Sequence, residues 1–75
     1  MEWLFFQKYD LMFFMNRPVI FEFHTIGSVV KVNAFDELSL TEVSIQGPAG
    51  ASEDILKKNA LKKLEYILRK KGIIS

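Results

Sequence analysis

Residues 52–72, "SEDILKKNALKKLEYILRKKG", form one amphipathic helix with a marked start and stop, and this most limits what the chain can build. Ser52 is a good N-cap, because its hydroxyl can accept from an amide of the first turn that has no intrahelical partner. Glu53 and Asp54 stand in that first turn and the cations come later, as the helix dipole favours. Gly72 supplies the C-terminal stop. At 100° per residue, Leu56, Ala60, Leu61, Leu64, Ile67 and Leu68 share one stripe, while Lys58, Lys62, Lys63, Arg69 and Lys70 fall opposite. Such a helix covers one face of one sheet.

The preceding residues supply that sheet. Val19, Phe21 and Phe23 alternate with Ile20, Glu22 and His24, Gly27 permits a reversal, and Val30, Val32 and Ala34 alternate with Val29, Lys31 and Asn33. A polar turn, "DELS", leads to a third run in which Thr41, Val43 and Ile45 alternate with Glu42 and Ser44. The break "QGPAGAS" then precedes the helix. The expected fold is α+β: a three-stranded antiparallel meander covered by a C-terminal amphipathic helix, forming one domain over residues 18–75. A chain of 75 residues has room for one core, so a large enzyme is excluded. It has no cysteine, which removes disulfides, thiolate metal sites and cysteine nucleophiles and suits a reducing cytoplasm.

The first fifteen residues, "MEWLFFQKYDLMFFM", are different in character: eleven are apolar or aromatic, and six of the ten aromatics of the chain lie here. Pro18 disfavours helix at Arg17, so a short apolar helix from near Glu2 to about Met15 is expected within an N-terminal segment of residues 1–17. At about 20 apolar residues per bilayer crossing the segment is too short to span, and Lys8 and Asp10 interrupt it. It has neither a positive n-region nor a small-residue cleavage site of a secretory signal. Three roles compete: a cover for the second sheet face or a contact with another copy, a surface anchor, or a leader preceding a natural start at Met12 or Met15. For the first, Trp3, Phe5, Phe6, Phe13 and Phe14 are the candidate apolar interface.

The net charge of +1 conceals a dipole. Residues 1–54 carry three Lys/Arg against eight Asp/Glu, a balance of −5, and residues 55–75 carry seven Lys/Arg against one Glu, a balance of +6. A lysine-rich outer helix face usually serves solubility. Clustering makes Lys58, Lys62, Lys63, Arg69 and Lys70 a candidate polyanion-binding set, since several cations within reach of one nucleic acid each release counterions. Only Tyr66 offers a stacking ring nearby, so no base preference is expected.

Catalytic patterns are sparse. His24 and Glu22 share a strand face, which permits an acid/base pair, but a half-exposed strand histidine is the simpler assignment. "GPAG" lacks the Lys-Ser/Thr of a P-loop, and two side chains alone would hold a metal weakly. No catalytic residue, cofactor or metal is assigned.

Two likenesses follow. A helix, three strands and a lysine-bearing helix are similar in order to the double-stranded RNA-binding domain, which brings cations at its last helix start to phosphates; here Glu53 and Asp54 occupy that start. More of the chain, roughly residues 18–71, resembles a family of short bacterial proteins of unknown function through "VIFEFHTIGSVVKVNAFDE", "TEVSIQGPAGAS" and "LKKNALKKLEYILRKK". That resemblance implies a compact bacterial domain and transfers no activity. The expectation is a cytoplasmic, non-enzymatic protein-interaction or self-associating module, forming a homo-oligomer or binding a protein partner; the alternative is an accessory nucleic-acid-binding protein using the basic helix face.

Overall fold

The computed structural model describes residues 5–75, with side chains from Gln7 onward. Four strands and one helix follow in chain order: β1 (Phe5–Phe14), β2 (Arg17–Ile26), β3 (Val29–Asp36), β4 (Thr41–Pro48) and α1 (Glu53–Lys70). The strands form one antiparallel sheet in the order β1-β2-β3-β4, and α1 lies across one face against β3 and β4. The α+β class and the C-terminal helix are as expected.

The N-terminal helix is corrected to a fourth strand. Lys8 and Asp10 are spaced for one face of a strand, and both face α1, where Lys8 Nζ lies 2.8 Å from Glu53 Oε1 and Lys57 Nζ lies 2.5 Å from Asp10 Oδ2. Aromatic side chains favour a pleated surface, and β1 occupies an edge of β2 that would otherwise have been bare. "NRP" marks a reversal rather than a helix stop. Met15 and Asn16 have φ of 53° and 61°, both left-handed as a type I′ hairpin requires, and Phe14 pairs with Arg17 across them. The order of elements that suggested a double-stranded RNA-binding domain thereby loses its first helix.

The second hairpin closes between Ile26 and Val29, with Gly27 at φ 62° in the first turn position. Registers then carry Phe21 opposite Ala34 and Ala34 opposite Val43, which aligns the apolar alternation of three strands on one face. Val19, Phe21, Val32, Ala34, Ala60, Leu64 and Leu68 are fully buried between sheet and helix. Each large side chain removed from water in this way is worth about 1.5–3 kcal/mol. The expected helix stripe divides into buried Leu56, Ala60, Leu64 and Leu68 and half-buried Leu61 and Ile67.

Both helix ends are built as their residues dictate. Ser52 Oγ accepts from the Ile55 amide. At the other end Gly72, at φ 75°, donates to Arg69 O at 3.0 Å and Ile73 donates to Leu68 O at 2.9 Å, the paired bonds of a Schellman motif.

Candidate interaction surface

The single helix leaves the other sheet face uncovered, and the registers determine what stands there. One row across the strands reads Leu11, Ile20, Phe35 and Glu42, and the next reads Tyr9, Glu22, Asn33 and Ser44. Phe13 stands beyond the first row, and Gln7, His24, Lys31 and Gln46 make the third. The face is apolar toward the β1–β2 turn and polar toward the opposite end. Tyr9, Leu11 and Phe13 are 60%, 56% and 66% exposed, a continuous apolar row on an outer strand. Single exposed apolar residues are ordinary, whereas an aligned row rimmed by polar groups is a candidate contact surface.

The polar half is a connected network. Glu22 Oε1 accepts from Asn33 Nδ2 at 3.1 Å and lies 2.9 Å from His24 Nε2, while Ser44 Oγ donates to Asn33 Oδ1 at 2.5 Å. Asn33 is buried in spite of its polar amide, and these bonds satisfy it. The His24 contact, with help from Asn33, holds the Glu22 carboxyl below its ordinary pKa. The hydrogen bond between Tyr9 and Glu22 raises the phenol, and Gln7 donates to the same Tyr9 oxygen. Tyr9, Ile20, Glu22, Asn33, Phe35 and Glu42 line a shallow depression of about 160 Å³ where the apolar and polar halves meet.

The two outer strands differ at their backbones. A two-residue hairpin closes on a hydrogen-bonded pair, so Lys8, Asp10, Met12 and Phe14 turn their peptide groups to β2, and Gln7, Tyr9, Leu11 and Phe13 turn theirs outward. On β4 the outward groups belong to Glu42, Ser44, Gln46 and Pro48 by the same alternation. Lys63 Nζ bonds Ser44 O at 2.8 Å, and Pro48 has no N–H to offer. Thus β4 is partly closed as an edge and β1 is open.

The candidate residues fall into place unevenly. Phe13 lies on the open face, but Phe14 packs on the helix side against the core, so the two do not share a surface. Trp3 lies outside the described residues, as do the side chains of Phe5 and Phe6. Tyr9, Leu11, Ile20 and Phe35 were missed as surface partners of Phe13; reading Gln7 to Phe14 with a period of two would have found the first two.

On the helix, Lys63 is held by β4, Arg69 bonds Glu65 and the Ser75 carbonyl, and Lys70 lies against Tyr66, its Nζ 5.6 Å from the ring centroid. Lys58 and Lys62 are exposed and make no ion pair among the described residues. The five cations thus divide into two that project to solvent and three engaged within the chain. Among the described residues no group of three or more His, Asp or Glu is placed to hold a metal, and no helix is long and apolar enough to cross a membrane.

A family model described as a domain of unknown function, DUF6898, matches residues 16–71, from the first turn to the end of α1. No curated protein and no solved structure matches the chain. The chain belongs to the DUF6898 family, a family without an assigned role, and β1 precedes the matched residues.

Proposed function

We propose that this domain is a non-enzymatic, cytoplasmic interaction module that self-associates through the sheet face turned away from α1. The observation that carries the proposal is the exposed row Tyr9, Leu11 and Phe13 beside half-buried Ile20 and Phe35. Burying such a row in an association gains about 25 cal/mol per Å² of apolar surface, the same driving force that seats α1 on the other face. The charges of β1 point to the helix side and are matched there by Glu53 and Lys57, so they do not oppose contact on the open face.

Sedimentation velocity over a wide concentration range, at low and high salt, tests this. Association that persists at high salt and is lost in Leu11→Asp and Phe13→Asp supports an apolar contact. A chain that stays monomeric throughout, or an oligomer unaffected by both substitutions, overturns it. Nucleic-acid binding is the weaker alternative, because three of its five candidate cations already have partners within the chain.

A further inference from the structure

Resting on the self-association just proposed, but placing its seam at the β1 border of the open face rather than over the whole face, we infer that the partner is a second copy joined edge to edge through β1, with a twofold axis at Leu11 and one eight-stranded sheet as the product. Two observations lead there, and a third is compatible with them. The first is edge asymmetry. The outward peptide groups of Tyr9, Leu11 and Phe13 lie along a ten-residue strand, whereas β4 has its Ser44 carbonyl taken by Lys63 and a proline at its end. Unpaired edges template strand addition, and lysine contacts and proline are the devices that suppress it.

The second is the register that charge allows. Antiparallel copies related by a twofold axis place one β1 residue opposite itself. Centring on Lys8 or Asp10 sets like charges directly opposite, which is destabilising. Centring on Tyr9 brings Lys8 opposite the partner's Asp10, but those charges are already paired with Glu53 and Lys57 on α1, and on the open face it sets Leu11 against the partner's Gln7, an apolar group against a polar one. Centring on Met12 shortens the overlap to residues 10–14. Centring on Leu11 pairs Leu11 with the partner's Leu11 and Tyr9 with the partner's Phe13, twice by symmetry. On the helix side it sets Asp10 beside the partner's Met12, with like charges offset. Aromatic and aliphatic cross-strand pairs of this kind are the stabilising units of a sheet.

The third is hydrogen-bond phase. The residues that the axis brings opposite one another on the open face, Tyr9, Leu11 and Phe13, are the same residues whose peptide groups face outward. Every register centred on a residue keeps these outward groups in phase, so backbone pairing is compatible with the Leu11 axis and the choice among registers falls to the side chains; a shift of one residue sets Asp10 against itself.

The absence of cysteine makes the test direct. In the inferred dimer the two Leu11 Cα atoms form a hydrogen-bonded pair about 5.5 Å apart, inside the range that a disulfide bridges. Leu11→Cys in the full chain is oxidised at a concentration where the native chain is dimeric, beside Gln46→Cys on exposed β4 as the control. Expected results are a covalent dimer from Leu11→Cys in most of the protein, little from Gln46→Cys, and a monomer from Leu11→Lys that retains the native circular dichroism. A native dimer in which Leu11→Cys does not cross-link, or in which Gln46→Cys cross-links as well, overturns the β1 pairing while leaving self-association standing. A native chain that never dimerises overturns both.

Discussion

Asp36 is fully buried at the end of β3 and receives both arms of Arg17 from β2, Nε to Oδ1 at 3.0 Å and Nη2 to Oδ2 at 2.9 Å. The Ser39 amide and hydroxyl donate to Oδ2 as well, at 3.0 and 2.5 Å, and the Thr41 hydroxyl stands 2.8 Å from that of Ser39. One carboxylate thus ties the start of β2 to the four-residue loop between β3 and β4. Removing one partner of such a pair leaves a buried charge uncompensated. Asp36→Ala is expected to lower stability by about 3–5 kcal/mol, read from urea unfolding; a loss under about 1 kcal/mol would mean that water reaches Arg17.

The same carboxylate sets an acid limit. The Arg17 guanidinium, followed by Ser39, holds Asp36 below its ordinary pKa. A group with a depressed folded pKa contributes stability that is complete above its unfolded value, near 3.9 for Asp, and is lost as pH falls through the folded value. Urea midpoints should therefore decline below about pH 5 in the native chain. In Asp36→Asn the midpoint starts lower and declines less steeply over that acid range; an unchanged slope would place the acid sensitivity elsewhere.

The strand β1 meets the helix through two partly exposed ion pairs, Lys8 with Glu53 and Asp10 with Lys57. Pairs of this exposure contribute about 0–1 kcal/mol each. Asp10→Lys reverses one of them. Amide hydrogen exchange should then accelerate in β1 and change little in β3, whose face is covered by α1. Equal acceleration in both strands would show that β1 and the core open together.

The Leu56 side chain of α1 occupies the space beside Gly47 on β4: a Cβ built there would lie 2.6 Å from Leu56 Cδ2. Gly47→Ala should cost about 1–3 kcal/mol by overpacking, and Gly47→Ala with Leu56→Ala should cost less than the two single changes together. Additive losses in that double-mutant cycle would remove the contact from the explanation.

Tyr9 reports on the open face. Its hydrogen bond to Glu22 raises the phenol above its ordinary value. A raised pKa means that this contact stabilises the fold at neutral pH and ceases to do so as pH climbs through the folded value. Ultraviolet titration should show one of the two tyrosines ionising late, and Glu22→Gln should return it toward about 10. If Glu22→Gln leaves the titration unmoved, the contact between the two rows is absent in solution.

Much of the fold was legible because its signals are local. The alternation of Val19, Phe21 and Phe23 against Ile20, Glu22 and His24 reads directly as a two-faced strand, and the stripe from Leu56 to Leu68 reads as one helix face. The first fifteen residues defeated the same approach because both faces of β1 carry apolar groups, so its hydrophobic pattern shows no clean period. Helix and strand assignments then differ in Lys8 and Asp10, whose spacing of two makes sense once Glu53 and Lys57 are known to lie opposite. The basic helix face was legible as composition, but that Lys63 reaches β4 depends on where the helix crosses the sheet.

Local sequence specifies the elements that depend on each residue's neighbours: the capped helix, the turns at Gly27 and at residues 37–40, and the core side of β2, β3 and β4. These follow from periodicity and backbone preference, which act over a few positions. Tertiary structure decided that the apolar leader adds to the sheet, that one edge is open and the other partly closed, and that Tyr9, Leu11 and Phe13 stand exposed together. Those outcomes depend on pairing between residues far apart in the chain, and a peptide group's partner across a sheet is determined by register and strand order rather than by its own side chain.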